Sequence, residues 1–550
     1  MVKRAKSAAA APASSATAAK ATAAPAPNAA ATPAPNAAPA TPPAVEFARF
    51  GGFVERIHFV GIGGIGMSGI AEVLLELGFH VSGSDTSDSA QLARLRAAGA
   101  RIEIGHRAEN IAAAEVVVAS SAVGDANPEL AAARAANIPL LPRAQMLGEL
   151  MRFRRAIAVA GTHGKTTTTS LVAAVLARAG LDPTFIVGGV VNSVRSNARL
   201  GRGEFMVVEA DESDASFLHL QPQMAVLTNI DADHLATYGG DFEQLKATCL
   251  AFLRNLPFYG LAALCAEDAA VRDIAADLRK PAVTYGFGAG VDFRGVEVRQ
   301  VGRDSFFRVE TAAGIGAREY RLALPGRHNV LNALAAIAIA ARLNLPEPAV
   351  AQALAEFEGI GRRFQALGEI AVDGDGDGDG GGDGAGAGAG AGTVELVDDY
   401  AHHPTELAAT LAAARDCWPG RRLVVVFQPH RYTRTRDLFD DFVQVLAGVE
   451  HLVVTQVYAA GEEFNPASDS KSLCRALRAL GREPVFIEDL PALGEYLPGM
   501  LRGGDVLLTL GAGDIGRFAR EFAGRDDGDG AGDGRSDGDG AGSGAGGAAA

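Results

Sequence analysis

Two glycines, a lysine and a run of threonines stand together in AIAVAGTHGKTTTT, residues 156–169. The apolar start predicts a short buried strand over 156–160. Gly161 and Gly164 bound a tight turn, and KTTTTSLVAAVLARAG predicts a helix. Only two residues separate the glycines, against four in the common phosphate-binding loop. The physics is the same: glycines let backbone N–H groups turn inward, and a helix start adds partial positive charge. Lys165 can reach terminal phosphates and the Thr166 hydroxyl can ligate Mg²⁺. A glycine turn that only caps a helix leaves the Lys and Thr in register unexplained. Gly161, Thr162, His163, Gly164, Lys165, Thr166 and Thr167 are therefore expected to bind ATP.

A second glycine loop comes earlier, in IHFVGIGGIGMSGIAEVLLELG. Gly61, Gly63 and Gly66 fit G-x-G-x-x-G, with Gly64 between them, and the following strand HVSGSD ends at Asp85. This is the layout of a nucleotide-binding βαβ unit, in which the acid bonds a ribose hydroxyl. Close helix–strand packing alone would also call for such glycines. Ser120 and Ser121 end a further strand, where open α/β sheets bind ligands.

Acids gather at two other strand tips. Glu209, Asp211, Glu212 and Asp214 follow Phe205–Val208, and Asp231, Asp233 and His234 follow AVLTNI. Beside an ATP loop such acids are candidates for placing Mg²⁺; some can simply cap the next helix. Asn329 and Asn332 open a long Ala/Leu helix, where they can cap it or read a purine edge. Near the C-terminus, Asp398, Asp399, Tyr400, His402 and His403, then His430, Arg431 and Arg434, again end apolar strands.

The elements that must carry these groups alternate as strand and helix, which predicts parallel α/β sheets. With 550 residues and 48% hydrophobic content, the chain can hold about three domains. The division expected is 1–50 as a disordered Ala/Pro-rich tail, 51–153, 154–360, 361–524, and 525–550 as a disordered tail. A Gly/Asp tract at 373–392 interrupts a hairpin in the third domain. Asp373, Asp375, Asp377 and Gly378 fit half of a Ca²⁺ loop, but position 384 is Gly where Glu is required, so a flexible insertion is expected. No apolar run reaches the ~18–20 residues of a membrane span. A net charge of −15 argues against nucleic acid. The four scattered cysteines suggest reduced thiols in a cytoplasmic protein.

The stretches GIGGIGMSGIAE, AGTHGKTTT, EADESDASFL, TNIDADH, PGRHNVLNALAA, GRRF, DDYAHHPTE, FQPHRYTRTRD and GAGDI together resemble the Mur ligases of bacterial cell-wall synthesis. Nine stretches in the right order, from about Arg56 to Gly524, carry the likeness. It implies three α/β domains: a Rossmann-like nucleotide-binding domain, a P-loop ATPase-like central domain and a Rossmann-like C-terminal domain. It also implies ATP- and Mg²⁺-dependent amide ligation, with UDP-N-acetylmuramate and L-alanine as substrates and a monomer or weak homodimer as the working form.

By the same likeness, Gly63, Gly64, Gly66, Asp85, Ser120 and Ser121 hold the UDP-sugar. Thr166, Glu209 and His234 hold the metal, and Asn329 and Arg362 contact ATP. Tyr400, His402, His430, Arg431 and Arg434 receive the amino acid. Lys165, Glu209, His234, His402 and Arg434 are the expected catalytic group. Position 248 is Thr and Lys246 falls half a turn early, so the carbamoyl-lysine of some relatives is not expected.

Three other readings compete. A nicotinamide oxidoreductase rests on GIGGIG and Asp85 alone and leaves Lys165 and the His/Arg cluster without work. A non-catalytic ATP switch would need none of the third domain's His and Arg. A ligase that attaches a whole peptide to the same nucleotide sugar is the nearest alternative.

Overall fold

A computed structural model describes residues 53–316, 318–372 and 392–524. Residues 1–50, most of the Gly/Asp tract and 525–550 lie outside them. So do the expectations of disordered tails and of a flexible insertion made there.

The described chain forms three sheets. The first is all parallel, and Arg56–Val60 lies at its centre between His80–Asp85 and Val116–Ala119. Arg101–Ile104 and Leu140–Pro142 form its edges. The second has eleven strands. At its heart Arg155–Ala160 runs parallel to Phe205–Glu209 on one side and Met224–Leu227 on the other. The third has six. Gln365–Val372 and Gly392–Asp399 form an antiparallel hairpin in which Val372 faces Gly392, so the tract's last residue already belongs to a strand. Its other contacts are parallel. The fold is three-domain α/β, with Rossmann-like domains flanking an ATPase-like centre.

Ala156–Ala160 are buried on both faces because helices cover both sides of the central sheet. Their side chains alternate between two cores. One core runs unbroken into the N-terminal domain, where Ile70 and Leu74 of the helix Ile65–Glu76 join Ile186 and Ala198 of the central sheet. Gly69 permits that approach: a Cβ there would lie 3.2 Å from the Ala198 Cβ. The C-terminal domain keeps cores of its own. All four cysteines are buried and unpaired.

Candidate active site

Three adjacent parallel strands end together, so the segments after Arg155–Ala160, Phe205–Glu209 and Met224–Leu227 meet at one edge. That register brings the phosphate-loop candidates and both acidic tips into one place. Gly161 (φ 126°) and Gly164 (φ 79°) take conformations that disfavour other residues. A Cβ on Gly161 would also strike Thr228 Oγ1. The helix Lys165–Arg178 starts at Gly164 with no side-chain cap, which leaves its first N–H groups for a ligand.

Lys165 Nζ is nearly buried, 2.8 Å from Glu212 and 3.0 Å from the Thr162 carbonyl. Burial would lower its pKa, yet Glu212, Glu209 and Asp211 raise it, so the ammonium stays charged. Thr166 Oγ1 donates to Glu209 Oε1 at 3.2 Å, and Gly188 N–H donates to Oε2 at 2.8 Å. These two expected metal ligands stand side by side. No hydrogen bond joins His234 to either among the described residues; its Nε2 faces Asp233 at 3.5 Å. Burial lowers its pKa, which keeps the imidazole neutral and able to ligate.

Beside the loop lies a cavity of about 420 Å³. His163, Gly164, Thr167 and Asn329 line it from the central domain, as do the apolar Tyr285 and Leu331. Asn329 is tied down on both atoms: Nδ2 donates to Pro325 O at 2.7 Å, and Oδ1 accepts from Asn332. Asn332 in turn accepts from Thr168 at 3.1 Å. His328, pushed down to about 4 by burial, shares the wall.

Arg362 lies away from this wall. Its guanidinium does not line this cavity; Nε donates to buried Asp398 at 3.1 Å and Nη2 to the Gly511 carbonyl at 2.7 Å. The neighbour, Arg363, lines the cavity instead, with Thr405 and Glu406 of the C-terminal domain. Arg362 sits at φ 60°, and both guanidiniums lie over the Tyr400 ring, 5.0 and 5.1 Å from its centroid.

The C-terminal candidates form a packed array. Tyr400 and His402 meet edge-on at 5.2 Å, and His402 and His430 at 5.7 Å. His430 Nδ1 lies 3.3 Å from Arg434 Nη1. Burial pushes His402 down to about 4; burial and neighbouring His402 push His430 down to about 2. Both are neutral near pH 7. Arg434 Nη2 reaches across to Asp233 of the central domain at 3.2 Å. Arg431 turns away, half exposed, 3.9 Å from Glu462.

In the N-terminal domain the glycine loop and Ser120 are neighbours: a Cβ on Gly61 would lie 3.1 Å from Ser120 Cβ. Gly63 N–H donates to Asp85 Oδ2 at 2.8 Å, and Thr86 N–H donates to Oδ1. Asp85 thus braces the loop itself. A second cavity, about 280 Å³, is lined by Ser120, Ser121, Arg134 and Arg143, with Asp214 and Ser216 of the central domain opposite. Arg143 also lies against Gly66 and pairs with Asp211 at 3.2 Å. Sequence reasoning missed Arg134, Arg143, Arg363 and Glu406. Only Glu406 and Arg363 fell inside quoted motifs, DDYAHHPTE and GRRF.

Three domain descriptions match the chain in succession: the Mur ligase family catalytic domain over 56–155, the Mur ligase middle domain over 159–340, and the Mur ligase glutamate ligase domain over 388–513. The UDP-N-acetylmuramate–L-alanine ligase of Aromatoleum aromaticum is 54% identical over 476 residues, 86% of this chain and 99% of that protein. The UDP-N-acetylmuramate–alanine ligase structure from Thermotoga maritima superposes with TM-score 0.70 at 32% identity, covering 85% of this chain and 98% of that one. A murein peptide ligase structure from Psychrobacter arcticus shares the fold, with TM-score 0.61 at 23% identity and coverage of 85% and 98%. The chain belongs to the Mur ligase family.

Proposed function

We propose that this protein is an ATP-dependent amide ligase that joins L-alanine to UDP-N-acetylmuramate, an early cytoplasmic step of peptidoglycan synthesis. The match at 54% identity over 86% of this chain and 99% of the relative supports the choice of substrates. A carboxylate repels nucleophiles and lacks a leaving group, so it must first be activated. The lactyl carboxylate takes the γ-phosphoryl group and ADP departs. The L-alanine amine then attacks the acyl carbon, phosphate leaves and the ammonium proton goes to a base.

Phosphoryl transfer between anions needs fixed positive charge. Lys165, held charged by three acids, and the uncapped N–H groups of its helix supply it. Thr166 Oγ1 and Glu209 offer the hard oxygen ligands that suit Mg²⁺, and neutral His234 is near enough to Lys165 to feel its charge. Mg²⁺ bound there would neutralise charge on the transferring phosphate. The cavity beside the loop takes the nucleotide, with Asn329 on its wall. The UDP-sugar lies on the N-terminal glycine loop and the Ser120–Ser121 cavity, where Arg134 and Arg143 answer its diphosphate. Arg434 offers a planar fork for the alanine carboxylate. His402 is neutral and can accept a proton.

Phosphate release from ATP tests this reading. Release that requires both UDP-N-acetylmuramate and L-alanine is the expected result. Release only with a tripeptide in place of L-alanine would move the protein to the peptide-attaching branch. Silence in every mixture would overturn the ligase reading.

A further inference from the structure

Where the phosphate loop meets the C-terminal domain, His163, Asp231 and His403 each offer a ligand atom, and these atoms lie within 4.8 Å of one another. We propose that these three side chains form a binding site for a borderline-soft divalent cation of the Zn²⁺ type, separate from the Mg²⁺ position at Thr166 and Glu209.

The spacing suits a small tetrahedral ion. Asp231 Oδ2 is 3.0 Å from His163 Nε2 and 3.6 Å from His403 Nδ1. Bonds of roughly 2.0–2.1 Å in a tetrahedron put ligand atoms about 3.3 Å apart, between those two values. The third pair is brought together by the rings themselves, whose centroids are 4.7 Å apart and tilted by 44°.

The second layer is also that of a metal site. His163 Nδ1 lies 3.2 Å from Glu406 Oε1, the carboxylate–imidazole pairing that orients a ligating histidine; Asp231 faces Nε2 at 3.0 Å, and against burial the two carboxylates raise the ring's pKa to about 9, so an incoming ion must displace the Nε2 proton. Thr405 Oγ1 donates to Asp231 Oδ2 at 2.6 Å and steadies that carboxylate. His403 is only 3% exposed, and its Nε2 has no hydrogen-bond partner. Its Nδ1 receives just a long 3.3 Å contact from Thr405 N–H.

Donor chemistry separates this site from the Mg²⁺ position. Two imidazoles and one carboxylate favour Zn²⁺, whereas Mg²⁺ prefers oxygen in octahedral array. His163 belongs to the phosphate loop and His403 caps the helix Pro404–Cys417 of the C-terminal domain. An ion held by both would pin one domain against the other.

Co²⁺, which takes the same ligands and colours when tetrahedral, is the probe. The full chain is titrated with Co²⁺ in excess Mg²⁺, without nucleotide, and the visible absorption is followed. One equivalent giving intense tetrahedral bands, bleached by Zn²⁺, is expected. His403→Gln removes a ligand and should weaken binding by at least the ~10–100-fold that loss of an outer-shell partner costs, while Glu209→Gln leaves it unchanged. Asp231→Asn should behave as His403→Gln does, and circular dichroism checks that each variant is folded. Absence of the bands would overturn the proposal. So would bands that persist in folded His403→Gln and Asp231→Asn, or that vanish with Glu209→Gln.

Discussion

The two glycine loops make an instructive pair. Each follows a strand with parallel neighbours on both sides, and each opens a helix with no side-chain cap. The first loop spends an N–H on its own acid, Gly63 on Asp85. In the second, the acids surround Lys165 and leave the N–H groups at the helix start free of a side-chain cap. One motif style therefore serves two ends. A loop already braced by a carboxylate is shaped for a ligand that is held, and one with a caged cation for charge that moves.

Breaking the second loop should have the larger effect. Lys165→Ala removes the fixed charge and should cut acyl-phosphate formation by at least ~10²–10³. Calorimetry should find UDP-sugar binding nearly intact; equal loss of both would erase the contrast. In the first loop, Asp85→Asn weakens a charge-assisted hydrogen bond worth about 1.5–3 kcal/mol. UDP-N-acetylmuramate affinity should fall roughly tenfold while ATP affinity holds, and a matching drop in ATP affinity would show that the loops are not independent.

A third effect, on stability rather than on binding or catalysis, lies in the N-terminal domain. Buried Glu129 accepts from Ser84 at 2.5 Å and lies 3.6 Å from His58. Burial works against its charge, yet His58, Ser84 and Asn110 lower its pKa from 4.5 to about 2. A pKa depressed by folding stabilises the native state above pH 4.5 and loses that stabilisation as pH falls toward 2. At about 1.4 kcal/mol per pH unit the loss is at most about 3 kcal/mol. Thermal unfolding of Glu129→Gln should show a flatter slope across that window than the parent chain. An identical slope would place the acid sensitivity elsewhere.

Much of this was legible in the sequence because it is local. The phosphate loop, the Gly63–Asp85 unit and the acids at strand tips are read from neighbours in the chain, and parallel pairing then gathers them. Contacts between distant segments were not legible. His163 meets Glu406 across 243 positions and Asp233 meets Arg434 across 201, and no local pattern encodes either. The placement of Arg362 and Arg363 was hidden for another reason. Which of two adjacent arginines faces the cavity is decided by tertiary packing, and nothing in GRRF declares it.

The two joints between domains differ in kind. The N-terminal and central domains share one continuous apolar core, and parting them would expose that surface to water at about 25 cal/mol per Å². The central and C-terminal domains meet through polar contacts such as Thr405–Asp231, Arg434–Asp233 and Gln300–Ala413. Such bonds, worth about 0.5–1.5 kcal/mol net and about 1.5–3 kcal/mol where a charge takes part, can be exchanged for water. The link between them passes Gly359, Arg362 and Phe364, all at positive φ. Mechanically the molecule is then two pieces rather than three: a stiff frame that carries both glycine loops, and one arm, bearing His402 and Arg434, joined to it by a seam that water can unzip.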